Sequence, residues 1–167
     1  MDLISQRLIY RKLTAADASV YTGMAMNNEV MKYITGKALS IAEAKERFQI
    51  MIETNVKIPE MGFYGVSEKE GNAFIGLGKL VLINDSIAEI GYSLLPEFWG
   101  RKYASEMAGC FIEYASRLPY ITELMAVVNP ANLASKKLLE KYGFTWSETG
   151  FLNEQPTEIH KLSLRKL

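Results

Sequence analysis

The stretch Gly91-Tyr-Ser-Leu-Leu-Pro-Glu-Phe-Trp-Gly-Arg-Lys-Tyr-Ala-Ser105 decides the fold, because it leads from a strand pattern through a short loop into a helix pattern. The loop carries Gly100, Arg101 and Lys102 directly before the helix. A helix N-terminus presents unpaired backbone N–H groups and the positive end of the helix dipole, which favour a phosphate or pyrophosphate ligand. A capped helix start with exposed charges explains the same residues, and the loop alone does not choose between the two interpretations.

Outward from this stretch, hydrophobic periodicity and turn residues predict elements in the order β-α-α-β-β-β-α-β-α-β-β. The predicted strands cover residues 8–13, 63–67, 73–83, 87–95, 123–128, 145–151 and 158–164. The predicted helices are a short one from residue 14, and longer ones over 40–54, 102–118 and 132–142. A run of strands followed by strand–helix alternation indicates an α+β or mixed α/β fold. We expect a twisted, mostly antiparallel sheet of six to seven strands flanked by about four helices.

Composition narrows the class of protein. Of 167 residues, 49% are hydrophobic and 23% are charged, which is typical of one globular domain over residues 1–167. Lys plus Arg and Asp plus Glu both count 19, so no net charge draws the chain to nucleic acid or an anionic membrane. Cys110 and His160, each the single residue of its type, cannot supply an internal disulfide or an ordinary zinc site. With neither a signal peptide nor a membrane span in evidence, we expect a cytoplasmic protein.

A second polar motif, Asn129-Pro-Ala-Asn132-Leu-Ala-Ser135, stands between a predicted strand and a predicted helix. Asn132 and Ser135 are three residues apart on a first helical turn, so both can face one ligand. Alternatively, Asn132 is only an N-cap and Gly143 the glycine that ends the helix. Both interpretations can hold, because the cap and a ligand contact use different atoms.

Together these residues resemble the GNAT superfamily of acyl-CoA-dependent N-acyltransferases, in particular the branch of ribosomal-protein N-terminal acetyltransferases. The matching segments, in order along nearly the whole chain, are Gln6-Arg-Leu8, Asn28-Glu-Val-Met-Lys-Tyr33, Phe74-Ile-Gly76, Ala88-Glu-Ile-Gly-Tyr92, Trp99-Gly-Arg-Lys-Tyr-Ala104, Glu106, Asn129-Pro-Ala-Asn132, Ser135 and Glu140-Lys-Tyr-Gly-Phe144.

The resemblance implies a V-shaped opening between the strand that ends near Leu94 and the strand that ends at Val128, with the pantetheine arm of acetyl-CoA inside it. The loop from Gly100 to Ser105 would hold the pyrophosphate through backbone N–H groups. Asn132 would contact the pantetheine or the reacting end, and Ser135 would lie near the thioester sulfur. The residues expected to bind the cofactor are Tyr92, Leu94, Leu95, Trp99, Gly100, Arg101, Lys102, Tyr103, Ala104, Ser105, Asn132 and Ser135.

The chain departs from the family pattern at two positions. Glycine is usual where Lys102 stands, and glycine lets the backbone approach a phosphate without a β-carbon in the way. The tyrosine that serves many members as general acid is replaced by Leu139, and Tyr142 is out of register. In the branch resembled, Ser135 is the expected proton donor to the departing thiolate.

Transfer of an acyl group to an amine also needs a base that removes a proton from nitrogen. The resemblance favours Glu89, on the strand that leads to the cofactor, for this role. The alternative is that Glu89 faces solvent as one polar residue of an alternating strand. We interpret His160 and Cys110 as structural residues without a catalytic role.

The resemblance therefore predicts direct transfer of an acetyl group from acetyl-CoA to a primary amine in a ternary complex, without a metal. The acceptor could be a protein N-terminus or a small amine, including a polyamine or an aminoglycoside. Two other classes stay open: a catalytically impaired CoA-binding module, which Lys102 and Leu139 make conceivable, and a protein-interaction domain. A monomer and a homodimer are both compatible with the sequence.

Overall fold

The structure, a computed structural model, describes residues 3–164 and in that range contains one sheet of eight strands. The strands are β1 (Leu3–Ile4), β2 (Leu8–Lys12), β3 (Gly62–Glu68), β4 (Phe74–Leu82), β5 (Ile87–Leu94), β6 (Glu123–Val128), β7 (Thr145–Leu152) and β8 (Gln155–Ser163). The α-helices are α1 (Ala18–Ala25), α2 (Asn28–Met31), α3 (Ile41–Lys57), α4 (Tyr103–Ser116) and α5 (Leu133–Lys141). Short 3-10 helices cover Ala15–Asp17 and Pro96–Phe98.

The strand order across the sheet is β1-β2-β3-β4-β5-β6-β8-β7. β3, β4 and β5 form an antiparallel meander. β5 and β6 are parallel, because the chain between them crosses back along α4 and returns to the same end of the sheet. The predicted mixed α/β, mostly antiparallel architecture is therefore confirmed.

α4 covers one face of the sheet and supplies much of the main core. Its side chains Met107 and Phe111 are fully buried against β4. A Cβ built on Gly78 would lie only 2.6 Å from a ring carbon of Phe111, so the helix packs directly on bare backbone at that position. The edge of the Tyr10 ring meets Phe111 from β2, with centroids 5.5 Å apart.

α1 and α3 cover the other face over β2 to β4. The rings of Tyr21 and Phe48 stack with centroids 5.3 Å apart and join the two helices. α3 begins where the sequence predicts, since Oγ of Ser40 accepts from the N–H of Glu43 and the Glu43 carboxylate accepts from the N–H of Ser40. No helix within residues 3–164 has the length and apolar character needed to cross a membrane.

The structure differs from the predicted elements in its shortest pieces. Within residues 3–164 the sheet has eight strands where six to seven were expected, because the two-residue β1 adds to its edge. Five α-helices replace about four, since the four-residue α2 is too short to show periodicity. The end predicted for the helix over 40–54 is wrong: the Asn55 side chain binds the backbones of Leu13 and Phe63, and the helix continues to Lys57.

Gly78→Ala should lower the free energy of unfolding by about 1–3 kcal/mol, the usual cost of overpacking a core, because the new methyl group would collide with Phe111. Urea denaturation measures the change. The matched control is Gly23→Ala at an exposed position of α1, where no atom lies within 4 Å of the added carbon. That variant should be neutral or up to about 1 kcal/mol more stable. Equal effects of the two substitutions would contradict the packing described here.

Candidate active site

The parallel strands β5 and β6 separate soon after they meet. They pair only through residues 87–89 and 123–125. β5 then continues to Leu94 along β4, whereas β6 continues to Val128 along β8. Because each strand is held by its other neighbour, a wedge-shaped opening remains between their carboxyl ends.

The backbone of β5 offers hydrogen-bonding groups to this opening. On the β4 side, the N–H of Leu95 donates to the carbonyl of Ile75 at 2.9 Å. Successive residues of a strand direct their backbone groups at opposite neighbours, so those of Tyr92 and Leu94 face the opening. The indole N–H of Trp99 donates to the Leu94 carbonyl at 2.9 Å and fixes the half-exposed ring beside the end of β5.

The loop before α4 has left-handed backbone at two residues. Gly100 has φ +74° and Lys102 has φ +63°. A Cβ built on Gly100 would meet no atom within 4 Å, so its backbone borders open space. The Lys102 side chain makes no capping hydrogen bond, which leaves the first N–H groups of α4, at residues 103–105, uncapped by it. This arrangement suits an anion, as the sequence predicts.

A contact that sequence reasoning missed anchors the loop to the N-terminal strands. The carboxylate of Glu106 accepts from the Ser5 hydroxyl at 2.6 Å, from the backbone N–H of Arg7 at 2.6 Å and from Arg7 Nε at 2.7 Å. Arg7 Nη1 donates to the carbonyl of Arg101 at 3.1 Å, and the guanidinium lies 4.3 Å from the ring centroid of Tyr103. Burial alone would raise the pKa of Glu106, but the hydrogen bonds from Ser5 and Arg7 lower it below its ordinary value.

The motif before α5 folds as a capped helix start. Oδ1 of Asn132 accepts from the N–H of Ser135 at 3.2 Å, and Oδ1 of Asn129 accepts from the N–H of Ala131 at 2.9 Å. The N-cap interpretation is confirmed. A ligand contact through the amide nitrogen of Asn132 uses a different atom and stays a prediction.

Tyr92 and Ser135 meet across the opening. Oη of Tyr92, on β5, lies 3.0 Å from Oγ of Ser135, on α5. Burial raises the pKa of Tyr92, and the hydrogen bond with Ser135 opposes that rise only in part. The sequence placed both residues at the cofactor but gave no sign that their hydroxyl groups touch.

Glu89 lies on the opposite face of the sheet. Its neighbours Ala88 and Ile90 are buried in the core beneath α4, so Glu89 points the other way. Its carboxylate forms an ion pair with Lys79 of β4, and only 12% of its side chain is exposed. The alternative of a solvent-facing Glu89 is therefore wrong. The structure does not bring Glu89 and Ser135 together on one face, and the opening is what connects the two sides.

The remaining candidates have structural partners. Tyr142 donates from Oη to the carbonyl of Ser105 at 2.6 Å and joins the end of α5 to the first turn of α4. Leu139 is buried in the core, with 1% exposure. His160 is buried beside Glu158, with Nε2 and Oε2 3.0 Å apart. Burial raises the pKa of the Cys110 thiol, which is consistent with an inert core residue.

The segment after α2 touches the start of β8. Gly36 has φ +82°, and a Cβ built on it would lie 2.6 Å from Nε2 of Gln155, so the Gln155 side chain rests on the Gly36 backbone. Met31 of α2 packs in one cluster with Leu95 at the end of β5, whereas Gln155 lies beyond β6. The contact therefore crosses the opening on the face where Glu89 lies.

Comparison with known proteins gives the family context. The family model described as an acetyltransferase (GNAT) domain matches residues 7–145. The chain is 32% identical over 147 residues to a Bacillus subtilis (strain 168) protein named uncharacterized N-acetyltransferase YoaA, covering 85% of this chain and 81% of that one. It is 28% identical over 145 residues to uncharacterized N-acetyltransferase p20 of Bacillus licheniformis, covering 85% and 81%.

Solved structures share the fold. RimL, a ribosomal L7/L12 alpha-N-protein acetyltransferase in complex with coenzyme A, aligns with a TM-score of 0.81 at 16% identity, over 98% of both chains. Spermidine N-acetyltransferase from Vibrio cholerae, in complex with CoA and spermine, aligns with a TM-score of 0.77 at 21% identity, over 95% of this chain and 96% of that one.

Lys102→Gly should raise the free energy of unfolding by about 1 kcal/mol, because glycine adopts the left-handed conformation without a Cβ clash. Lys102→Ala removes the same charge but keeps the Cβ, so it should bring no such gain. Chemical denaturation of both variants separates backbone strain from charge. A Gly variant no more stable than the Ala variant would show that the loop is not strained at this residue.

Glu106→Gln should cost about 1–2 kcal/mol of unfolding free energy at pH 7, at the low end for charge-assisted hydrogen bonds because Arg7 is 41% exposed. A carboxyl with a lowered folded pKa stabilises the fold above its unfolded pKa, about 4.3, and loses that effect as pH falls through the folded pKa. The deficit should therefore shrink in denaturation curves taken below about pH 4. Glu113→Gln, in an exposed pair on the same helix, is the control and should change little at either pH.

Proposed function

Since this chain belongs to the GNAT acetyltransferase family and is an acetyl-CoA-dependent N-acetyltransferase, we propose that it acetylates a primary amine at the end of an extended chain, of which a protein N-terminus is the best example. The observation that carries the proposal is the wedge between β5 and β6, which opens beside the uncapped start of α4 on one face and beside Glu89 on the other. A cofactor and an acceptor can thus meet there from opposite sides of the sheet.

On the cofactor side, two parts of acetyl-CoA would bind at two different elements. The pyrophosphate would bind the first N–H groups of α4, with the cations of Arg101 and Lys102 nearby. The amide groups of the pantetheine arm would add to the free edge of β5, at the backbone of Tyr92 and Leu94, as a short extra strand does. This placement brings the thioester toward Ser135 at the start of α5.

The acceptor side supplies the base. Glu89 has only 12% of its side chain exposed, and its carboxylate forms an ion pair with Lys79 of β4. The amine nitrogen attacks the thioester carbonyl carbon while Glu89 removes its proton, directly or through a water. The carbon–sulfur bond then breaks, and the electron pair leaves with sulfur. Both products form in one ternary complex without a covalent enzyme intermediate.

Charge on the acceptor side favours a single amine over a polycation. Lys79 neutralises Glu89, so the acceptor face has no surplus carboxylate at that point to hold a second ammonium group. The contact between Gly36 and Gln155 crosses the same side and favours a thin, extended chain over a bulky ring system. A polyamine is the second candidate, because the name of the spermidine N-acetyltransferase shows that this fold serves such acceptors.

Release of free CoA thiol, measured with a panel of amines, tests the proposal. Short peptides with free N-termini should give the highest kcat/KM, spermidine a lower one and an aminoglycoside the lowest. The same peptides with blocked N-termini are the controls and should release no thiol. A thermal shift with acetyl-CoA but no turnover of any amine would overturn the proposal in favour of an impaired CoA-binding module.

Glu89→Gln should lower kcat by about 100-fold or more, the usual weight of general-base catalysis, while leaving the affinity for acetyl-CoA unchanged. The amide keeps the size of the side chain but cannot take the proton. Steady-state kinetics give kcat, and calorimetry gives the Kd. Glu148→Gln, on exposed β7, is the matched control. If Glu89→Gln kept the parental turnover and pH–rate profile, the base would have to be sought elsewhere.

A further inference from the structure

The contact between Tyr92 and Ser135 has a chemical use beyond holding two elements together. We propose that Tyr92 acts through Ser135 as a proton-relay residue, so that a phenol and a hydroxyl in series, rather than one serine, deliver the proton to the departing CoA thiolate. This inference rests on the proposed function and adds one residue to its mechanism.

The geometry supports a relay across the opening. Tyr92 lies on the α4 face of β5, opposite Gly78 of β4, which has no side chain there. Its Oη is 3.0 Å from Oγ of Ser135, at the first turn of α5, which follows β6. The two hydroxyl groups therefore join the two sides of the wedge at the level where β5 and β6 have already separated. A proton can pass between hydroxyl groups at this distance without movement of the backbone.

The other phenol near this position is already engaged. Tyr142 donates to the Ser105 carbonyl at 2.6 Å, and Leu139 places a buried alkyl group where many family members have their acidic tyrosine. Tyr92 enters from the strand side instead of the helix side. Of the two phenols, Tyr92 is the one whose hydroxyl contacts Ser135.

Acidity explains why Ser135 needs a partner. An aliphatic hydroxyl is a far weaker acid than a thiol, so a lone serine that gave up its proton would be left as an alkoxide. A phenol, with an ordinary pKa of about 10, is close to a thiol at about 8.5 and can restore the serine proton at modest cost. Burial raises the pKa of Tyr92, so the phenol is fully protonated at neutral pH but is a weaker acid than an exposed phenol, and it gives its proton to Ser135 only as Ser135 loses its own.

The proposed step balances as follows. The amine nitrogen bonds to the carbonyl carbon and passes a proton to Glu89, and the carbon–sulfur bond breaks with its electron pair on sulfur. Ser135 gives its hydroxyl proton to sulfur while Tyr92 gives its own to Ser135 Oγ. Solvent water then reprotonates the Tyr92 phenolate, and Glu89 returns the amine proton to solvent. Amine and acetyl-CoA become amide and CoA thiol with no other reactant.

A double-mutant cycle of Tyr92→Phe and Ser135→Ala tests the relay. Each single variant should lower kcat by about tenfold, a modest value because a thiolate is a fair leaving group. The double variant should be no slower than Ser135→Ala alone, because the two groups act in series. Affinity for acetyl-CoA should hold in Tyr92→Phe. Tyr120→Phe, at a tyrosine 40% exposed in the turn after α4, is the control.

Full turnover in Tyr92→Phe, or effects of the two substitutions that multiply in the double variant, would overturn the relay. A solvent isotope experiment on the parental protein adds a test that needs no variant. The relay puts two protons in flight at the leaving group besides the amine proton, which predicts a curved dependence of kcat on the deuterium fraction, and a linear dependence would also overturn the proposal. Absence of turnover in the parental protein would instead sink the proposed function, so the two failures are distinguishable.

Discussion

The early separation of β5 and β6 is the constraint on which the site depends. Parallel strands ordinarily continue side by side, but β5 and β6 pair through only three residue pairs before each follows its other neighbour. β4 holds β5 as far as Leu94, and β8 holds β6 as far as Val128. Apart from the Leu94 carbonyl, which accepts from Trp99, the backbone groups that β5 turns toward the opening have no strand partner within residues 3–164, so the opening suits a ligand with amide groups of its own.

The wedge also divides the chemistry between the two faces of the sheet. Alternation along β5 directs Tyr92 toward α5 and Glu89 toward the opposite face of the sheet. Tyr92, in the proposed relay, and Glu89, the proposed base, are thereby kept apart, although they are only three residues apart in the chain. Strand geometry alone gives this separation, and a helix would have placed residues three apart on one face.

Much of the fold was predictable, because its long elements have clear periodicity. The pattern over residues 123–128 matches β6 to the residue, since Leu124, Ala126 and Val128 alternate into the core. The loop before α4 was also predictable, from Gly100 and the change of period after it. The elements missed were β1 and α2, which are too short to carry a period; β1 is held by pairing with β2, and α2 packs against residues distant in sequence.

The partners within the candidate site were less accessible to sequence reasoning. The pairing of Glu89 with Lys79 follows from a strand register, and the contact of Tyr92 with Ser135 follows from the docking of α5 on the sheet. Both contacts join residues that are distant in the chain, so no local sequence pattern predicts them. Asn55 shows the same limit, because its preference for ending helices was overridden by backbone groups that its amide could satisfy.

The bare backbone of Gly78 beneath Phe111 links two positions that are far apart in the sequence. The helix can approach the sheet this closely only while one of the pair is small. Among related sequences, we expect substitution at one position to be accompanied by compensation at the other: a side chain at 78 with a smaller residue at 111, or glycine with an aromatic ring. Such covariation would record, over evolutionary time, the distance at which α4 and the loop before it are held above β4.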